Sequence, residues 1–142
     1  MGRSRGGNTT KIHALVDRNG LPIALKLTEG QAHDGRAAED LVGQLGTGCV
    51  LLADRAYDSD AIRASLAAQG ALANIRPLRH RKQVPVFSPR LYTMRNRVER
   101  FFSKLKHFRA VATRFCRHDA NYLASVKLAA LRIWMRFNES VA

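Results

Sequence analysis

The sequence predicts an α/β fold, a mixed sheet with helices on its faces. Three observations carry this. An Asn19-Gly20 pair separates two apolar-rich stretches, the strongest short-range hairpin signal. Cys49–Ala53 (CVLLA) is an unbroken apolar run, the mark of a strand buried on both faces. Helix-period segments alternate with these strands, as βαβ units require.

The elements follow in order. Gly6-Gly7 and the polar start read as a flexible lead-in. Thr10–Val16 (TKIHALV) is a strand, Asp17–Gly20 a turn and Leu21–Thr28 (LPIALKLT) the return strand. Glu29–Gly35 (EGQAHDG) is a loop. A helix over Asp34–Leu45 places Ala37, Ala38, Leu41, Val42 and Leu45 on one side, and Gly46-Thr47-Gly48 ends it. Asp54 directly follows the CVLLA strand. Asp58-Ser59-Asp60 offers an N-cap and a first-turn acid for a helix over Asp60–Gln69, closed by Gly70. Ala71–Ile75 (ALANI) is a short strand, and Arg76–Pro89 a basic loop holding three prolines. Helices over Arg90–Phe108 and Asp119–Asn138 complete the chain. The crossover between Thr28 and Cys49 is expected to set the flanking strands parallel. His33, Asp34 and Asp54 then share the sheet edge where α/β sites gather.

A length of 142 residues suits one domain, residues 1–142. Lys and Arg total 24 against 11 Asp and Glu, a net charge of +13 that implies a polyanionic partner, most simply nucleic acid. The charge is concentrated: 13 cations lie in the segment 76–117, where Glu99 is the one acid. A lone carboxylate there repels any phosphate it meets. Metal binding gives it a task; pairing with Arg95 or Arg100 gives it a structural one. Cys49 and Cys116 form no C-x-x-C pair, which argues against a disulfide framework or a cysteine zinc site. No apolar run approaches the ~20 residues of a membrane span, and the start has no secretory h-region. A soluble, cytoplasmic, nucleoid-associated protein with no membrane partner is expected.

On a helical wheel Tyr92, Arg95, Glu99 and Lys106 fall within an arc of about 60°. Met94, Val98, Phe101, Leu105 and Phe108 form the opposed apolar stripe. The spacing Tyr92-x2-Arg95-x3-Glu99-x6-Lys106 resembles the signature of insertion-sequence DDE transposases. Asp54-Arg55-Ala56-Tyr57 resembles that family's second-acid motif, and GRSRGGNTTKIHALVD with LTEGQAHD resembles the strands preceding it.

The resemblance implies an RNase H-like fold and DNA transposition, with metal-dependent strand cleavage and transfer. Asp54 and Glu99 become the catalytic, metal-binding acids. Two divalent cations, Mg²⁺ or Mn²⁺, are expected, because a cation pair stabilises the attacking and leaving oxygens at phosphorus. Hard cations take oxygen ligands, which suits carboxylates. Tyr92, Arg95 and Lys106, with Arg97 and Arg100, are expected to bind double-stranded DNA. His33, Asp34 and Tyr57 are candidates for the site edge.

The family's first acid lies on a leading strand upstream of Thr10–Val16, and residues 1–10 contain no acid. Asp17 sits in the hairpin turn, and Asp34 belongs to a different motif. The chain therefore resembles the carboxyl-terminal part of the catalytic domain, lacking the leading strand. It is expected to be inactive alone and to partner an upstream transposase polypeptide carrying the first Asp and the DNA-recognition region. Homo-oligomerisation is also open. The alternative is a non-catalytic DNA-binding regulator derived from a transposase. A generic RNA-binding domain fits worse, since the aromatic motifs of common RNA modules are missing.

Overall fold

The computed structural model describes residues 2–4, 7–30, 32–114 and 117–141, with side chains from Thr9 onward. The chain is a mixed α/β protein that divides into two compact units. One comprises Met1–His13 and Thr28–Arg95, the other Ala14–Leu27 and Asn96–Ala142.

Strands β1 (Gly2–Ser4), β2 (Gly7–Val16) and β3 (Pro22–Glu29) form a sheet in that order. β1 is antiparallel to β2, with Gly2 opposite Thr9 and Ser4 opposite Gly7. Within the polar start, Gly2–Ser4 and the residues from Gly7 are thus strand, where a flexible lead-in was expected. Backbone pairing needs no apolar side chain, so hydropathy gave no sign of it; Gly6 lies outside the described residues. The β2–β3 turn is built as its sequence predicts. Asp17 Oδ1 accepts from the backbone N–H of Asn19 (2.8 Å) and Leu21 (2.9 Å). Gly20 takes φ +79°, a conformation that costs glycine little.

In the first unit, α1 (Asp34–Val42) leads to β4 (Val50–Ala53), a 3-10 turn (Arg55–Tyr57), α2 (Asp60–Ala68) and β5 (Leu72–Ile75). β4 pairs with β5 in parallel, Val50 opposite Leu72 and Ala53 opposite Ile75. These two strands form their own sheet. This corrects the expectation that β3 and β4 run parallel within one mixed sheet. It also corrects the burial of CVLLA: Cys49 and Val50 are exposed, and Leu51 to Ala53 are half-buried. An apolar run does not say whether one face or two will be covered. The face bearing Leu51 and Ala53 packs on α1 and α2, while on the other Leu52 is half-buried and Asn74 buried. Ala38 and Val42 of α1, Ile62 and Leu66 of α2, Ala71 and Ile75 make the core, with Leu51, Ala53, Ala73 and Tyr57 against it.

Helix α1 stops at Gly43, short of the expected Leu45, because glycine propagates a helix poorly. Ser59 caps α2 through its Oγ, which accepts from Ile62 N at 3.2 Å, and Gly70 leaves the helix at φ +71°.

The basic loop after β5 is tied down at both ends. Asp58 has a fully buried side chain; it accepts from Arg63 Nε (2.9 Å), Arg81 Nε (2.6 Å) and Leu78 N (2.7 Å). Burial alone raises a carboxyl pKa. The bonds from Arg81, Leu78 N–H and Arg63 outweigh that and hold Asp58 below its ordinary value. At the other end Asn74 and Ser88 exchange two bonds, Nδ2 to Ser88 O (3.0 Å) and Ser88 N to Oδ1 (2.7 Å).

The expected helix over Arg90–Phe108 is broken into α3 (Pro89–Tyr92), a 3-10 turn (Thr93–Arg95) and α4 (Asn96–Lys106). Thr93 Oγ1 donates to the Arg90 carbonyl at 2.7 Å, the back-bonding by which a mid-helix threonine disturbs the ladder. In the second unit α4 buries Phe101 and Leu105. α5 (Arg109–Ala112) buries Val111, and α6 (Asp119–Val141) buries Tyr122, Val126, Ala129, Ala130 and Ile133. Met94 precedes α4 and is exposed, so the apolar stripe is shorter than the wheel suggested. Tyr122 Oη donates to Val111 O at 2.9 Å, and Trp134 Nε1 donates to Pro22 O at 2.8 Å. No described helix is long and apolar enough to cross a membrane.

Candidate functional site

Asp54 stands at the carboxyl end of β4, where the backbone leaves the strand at φ −80°, ψ 178°. Its Oδ1 accepts from Ala56 N at 3.0 Å and caps the 3-10 turn. Its second oxygen takes no partner among the described residues. Strand and turn together fix this half-buried carboxylate.

The same turn delivers Tyr57. Its hydroxyl lies 3.0 Å from His13 Nδ1, with the two rings edge to face at 6.3 Å. His13, only 2% exposed, uses its Nε2 on Thr28 Oγ1 at 2.8 Å. A buried chain of polar contacts thus links β3, β2 and the residue three places after Asp54. The phenol is pushed up to about 12, chiefly by burial and then by the negative charges of Asp34 and Asp54. It stays neutral at physiological pH, and both carboxylates act on it.

Asp34 opens α1, and Lys11 Nζ donates to its Oδ1 at 3.0 Å and to Ala32 O at 3.2 Å. His33 occupies the N-cap position of α1, exposed, with no capping bond from its side chain. This unit therefore brings together Asp34, Asp54 and Tyr57. Sequence reasoning missed the support beneath them: Lys11, His13 and Thr28. The signal was the alternation along β2, where residues two apart share a face.

Tyr92 ends α3. Its ring meets the edge of Phe87 at 5.3 Å, and the Arg95 guanidinium lies 5.4 Å from its centroid. The common helical face expected for Tyr92, Arg95, Glu99 and Lys106 is not one face of one helix, because the 3-10 turn intervenes after Tyr92. Glu99 and Lys106 do lie on α4, seven residues apart and so on the same side, and both are exposed. Arg100 and Lys104 are exposed and Arg97 is half-buried. Not every cation of the segment 76–117 is available for a ligand. Arg81 is spent on Asp58 and Asp60, and Arg114 pairs with Asp119.

The donors at Asp54 and Asp34 are all carboxylate oxygens, suited to a hard divalent cation and unsuited to zinc-type nitrogen or sulfur ligation. Among the described residues no three Asp, Glu, His or Cys side chains gather into a ready metal cage. Cys49 is an exposed free thiol, and Cys116 lies outside the described residues.

Comparison with known proteins adds an independent finding. The family described as "Transposase DDE domain" matches residues 2–134. A curated relative from Brucella ovis, described as a transposase for insertion sequence element IS6501, is 42% identical over 130 residues. The match covers 90% of this chain and 99% of the relative. No solved structure matches.

Proposed function

We propose that this chain, which belongs to the DDE transposases of insertion sequences, takes part in cleaving and rejoining DNA strands at the ends of its element through an RNase H-like catalytic fold. The family implies a DNA substrate and a divalent cation. Asp54 and Glu99 are the proposed metal-binding acids, with Mg²⁺ or Mn²⁺ as the ion. Bound cations supply charge stabilisation to the attacking and leaving oxygens at phosphorus. Asp54 serves because strand and turn hold its carboxylate still, and positioning dominates phosphoryl-transfer catalysis. Lys106, Arg95, Arg97 and Arg100 neutralise DNA phosphates, Arg bidentately where geometry allows. Tyr92 joins them, and His33, Asp34 and Tyr57 border the acid.

The observation that carries this reading is the family match over residues 2–134 together with an aspartate at the end of a parallel strand. Its test is cleavage of duplex DNA bearing the element's ends by the protein expressed from the intact element. Cleavage should need Mg²⁺ or Mn²⁺, stop in EDTA, and be lost in Asp54→Asn and Glu99→Gln while duplex binding persists. A non-catalytic regulator derived from a transposase predicts binding without cleavage. Cleavage that survives both substitutions would overturn the site.

A further inference from the structure

We infer that the tip of the basic loop, Val84-Pro85-Val86, is an apolar wedge that enters duplex DNA beside the phosphates its neighbours hold. The inference rests on the proposal that the chain acts on DNA.

Single exposed apolar side chains are ordinary. Here Val84 is 70% exposed and Val86 94% exposed, two residues apart in a three-residue apolar tip. The loop behind it is not slack. Asp58 holds Leu78 N and Arg81, and Asn74 and Ser88 hold each other. Phe87 turns back onto Tyr92, so the tip projects from an anchored base. Pro85 fixes one backbone torsion between the two valines.

The surroundings choose the partner. From 76 to 90 the chain carries five Lys or Arg and no acid. Arg79, His80, Lys82 and Arg90, flanking the tip in sequence, are exposed, while Arg81 faces inward on Asp58. A second copy of so cationic a loop would be repelled. A polyanion with apolar surface between its charges fits, and stacked base pairs between phosphates are such a surface. Proteins that distort duplexes place cations on the backbone and push apolar side chains between base steps.

The test uses the full-length chain and a duplex carrying the element's end, with 2-aminopurine at successive steps. Wild type should raise the fluorescence at one or two steps as bases unstack. The double variant Val84→Asn/Val86→Asn, changed only at exposed positions, should bind about tenfold more weakly. It should give no fluorescence rise and keep the salt dependence of binding, because every cation remains. Lys82→Gln should do the reverse, lowering the salt dependence and keeping the fluorescence change. Salt-dependent binding with equal fluorescence in wild type and the valine variant overturns the wedge and leaves the DNA reading standing. Loss of self-association in the valine variant, with its DNA signal unchanged, also overturns it and makes the tip a protein interface. Absence of duplex binding by wild type overturns both readings.

Discussion

Asp58→Asn should destabilise the protein by removing the charge that two guanidinium groups share. The carboxylate is fully buried and receives Arg63, Arg81 and the Leu78 amide. Breaking a buried ion pair from one side costs about 3–5 kcal/mol, because the partner charge stays behind. Two features place this site at the low end. Arg63 keeps its bond to the Ile75 carbonyl at 3.0 Å, and Arg81 keeps Asp60 at 2.7 Å. About 3 kcal/mol is therefore expected, or roughly 6–12 °C in Tm for a chain of this size. The pH dependence has a definite sign. The folded carboxyl titrates below its ordinary value, so its contribution is complete above about pH 4 and fades as pH falls through the lowered folded value. Thermal melts followed by far-ultraviolet circular dichroism, run on both proteins from pH 7 to pH 2, check this. The gap between them should be widest at pH 7 and narrow below pH 4. A difference under about 1 kcal/mol at pH 7, or one unchanged at pH 2, refutes the reasoning.

Three further outcomes are expected. Tyr57→Phe should cost about 1–2 kcal/mol in urea unfolding, since it removes the hydroxyl that lies 3.0 Å from Nδ1 of buried His13. It should also reduce the stability loss that wild type suffers as pH rises from 10 towards about 12, where the unfolded Tyr57 phenol ionises and the folded one does not; Tyr122, likewise raised by burial, keeps its share of that loss. Gly20→Ala should cost about 1–2 kcal/mol by the same assay, because a side chain strains at φ +79°. The added methyl would also meet the Arg97 carbonyl at 3.3 Å. Duplex binding measured across salt concentrations should give a log–log slope of roughly −5 if six cations touch phosphates. Arg100→Gln should reduce the slope by about 1, and Arg81→Gln, already committed to Asp58 and Asp60, should not.

What the sequence disclosed and what it withheld divide along physical lines. Local chemistry was legible: the Asp17–Gly20 turn, the Ser59 cap, the Gly70 exit and the apolar side of α1 all depend on residues a few places apart. Asp54 at a strand end and Asp34 at a helix start were likewise read from neighbours. Pairing between distant segments was not legible. β4 chose β5 over β3, and the apolar letters of CVLLA are the same for either partner. The helix break after Tyr92, where the Thr93 hydroxyl bonds the Arg90 carbonyl, interrupts a helical period that continues through it in the sequence. The support under Tyr57 escaped because His13, Thr28 and Tyr57 are far apart in sequence. Asp58 looked like a possible cap until its two arginines, five and twenty-three residues on, closed over it.

The most direct test of the central claim is the transposition frequency of a marker-tagged copy of the element encoding this chain. Asp54→Asn and Glu99→Gln should each lower it by about a thousandfold or more, some 4 kcal/mol of lost transition-state stabilisation. Asp17→Asn, whose carboxylate accepts turn bonds from Asn19 and Leu21 among the described residues, should leave transposition within about tenfold of wild type. Transposition that persists near the wild-type frequency in either Asp54→Asn or Glu99→Gln would contradict the account.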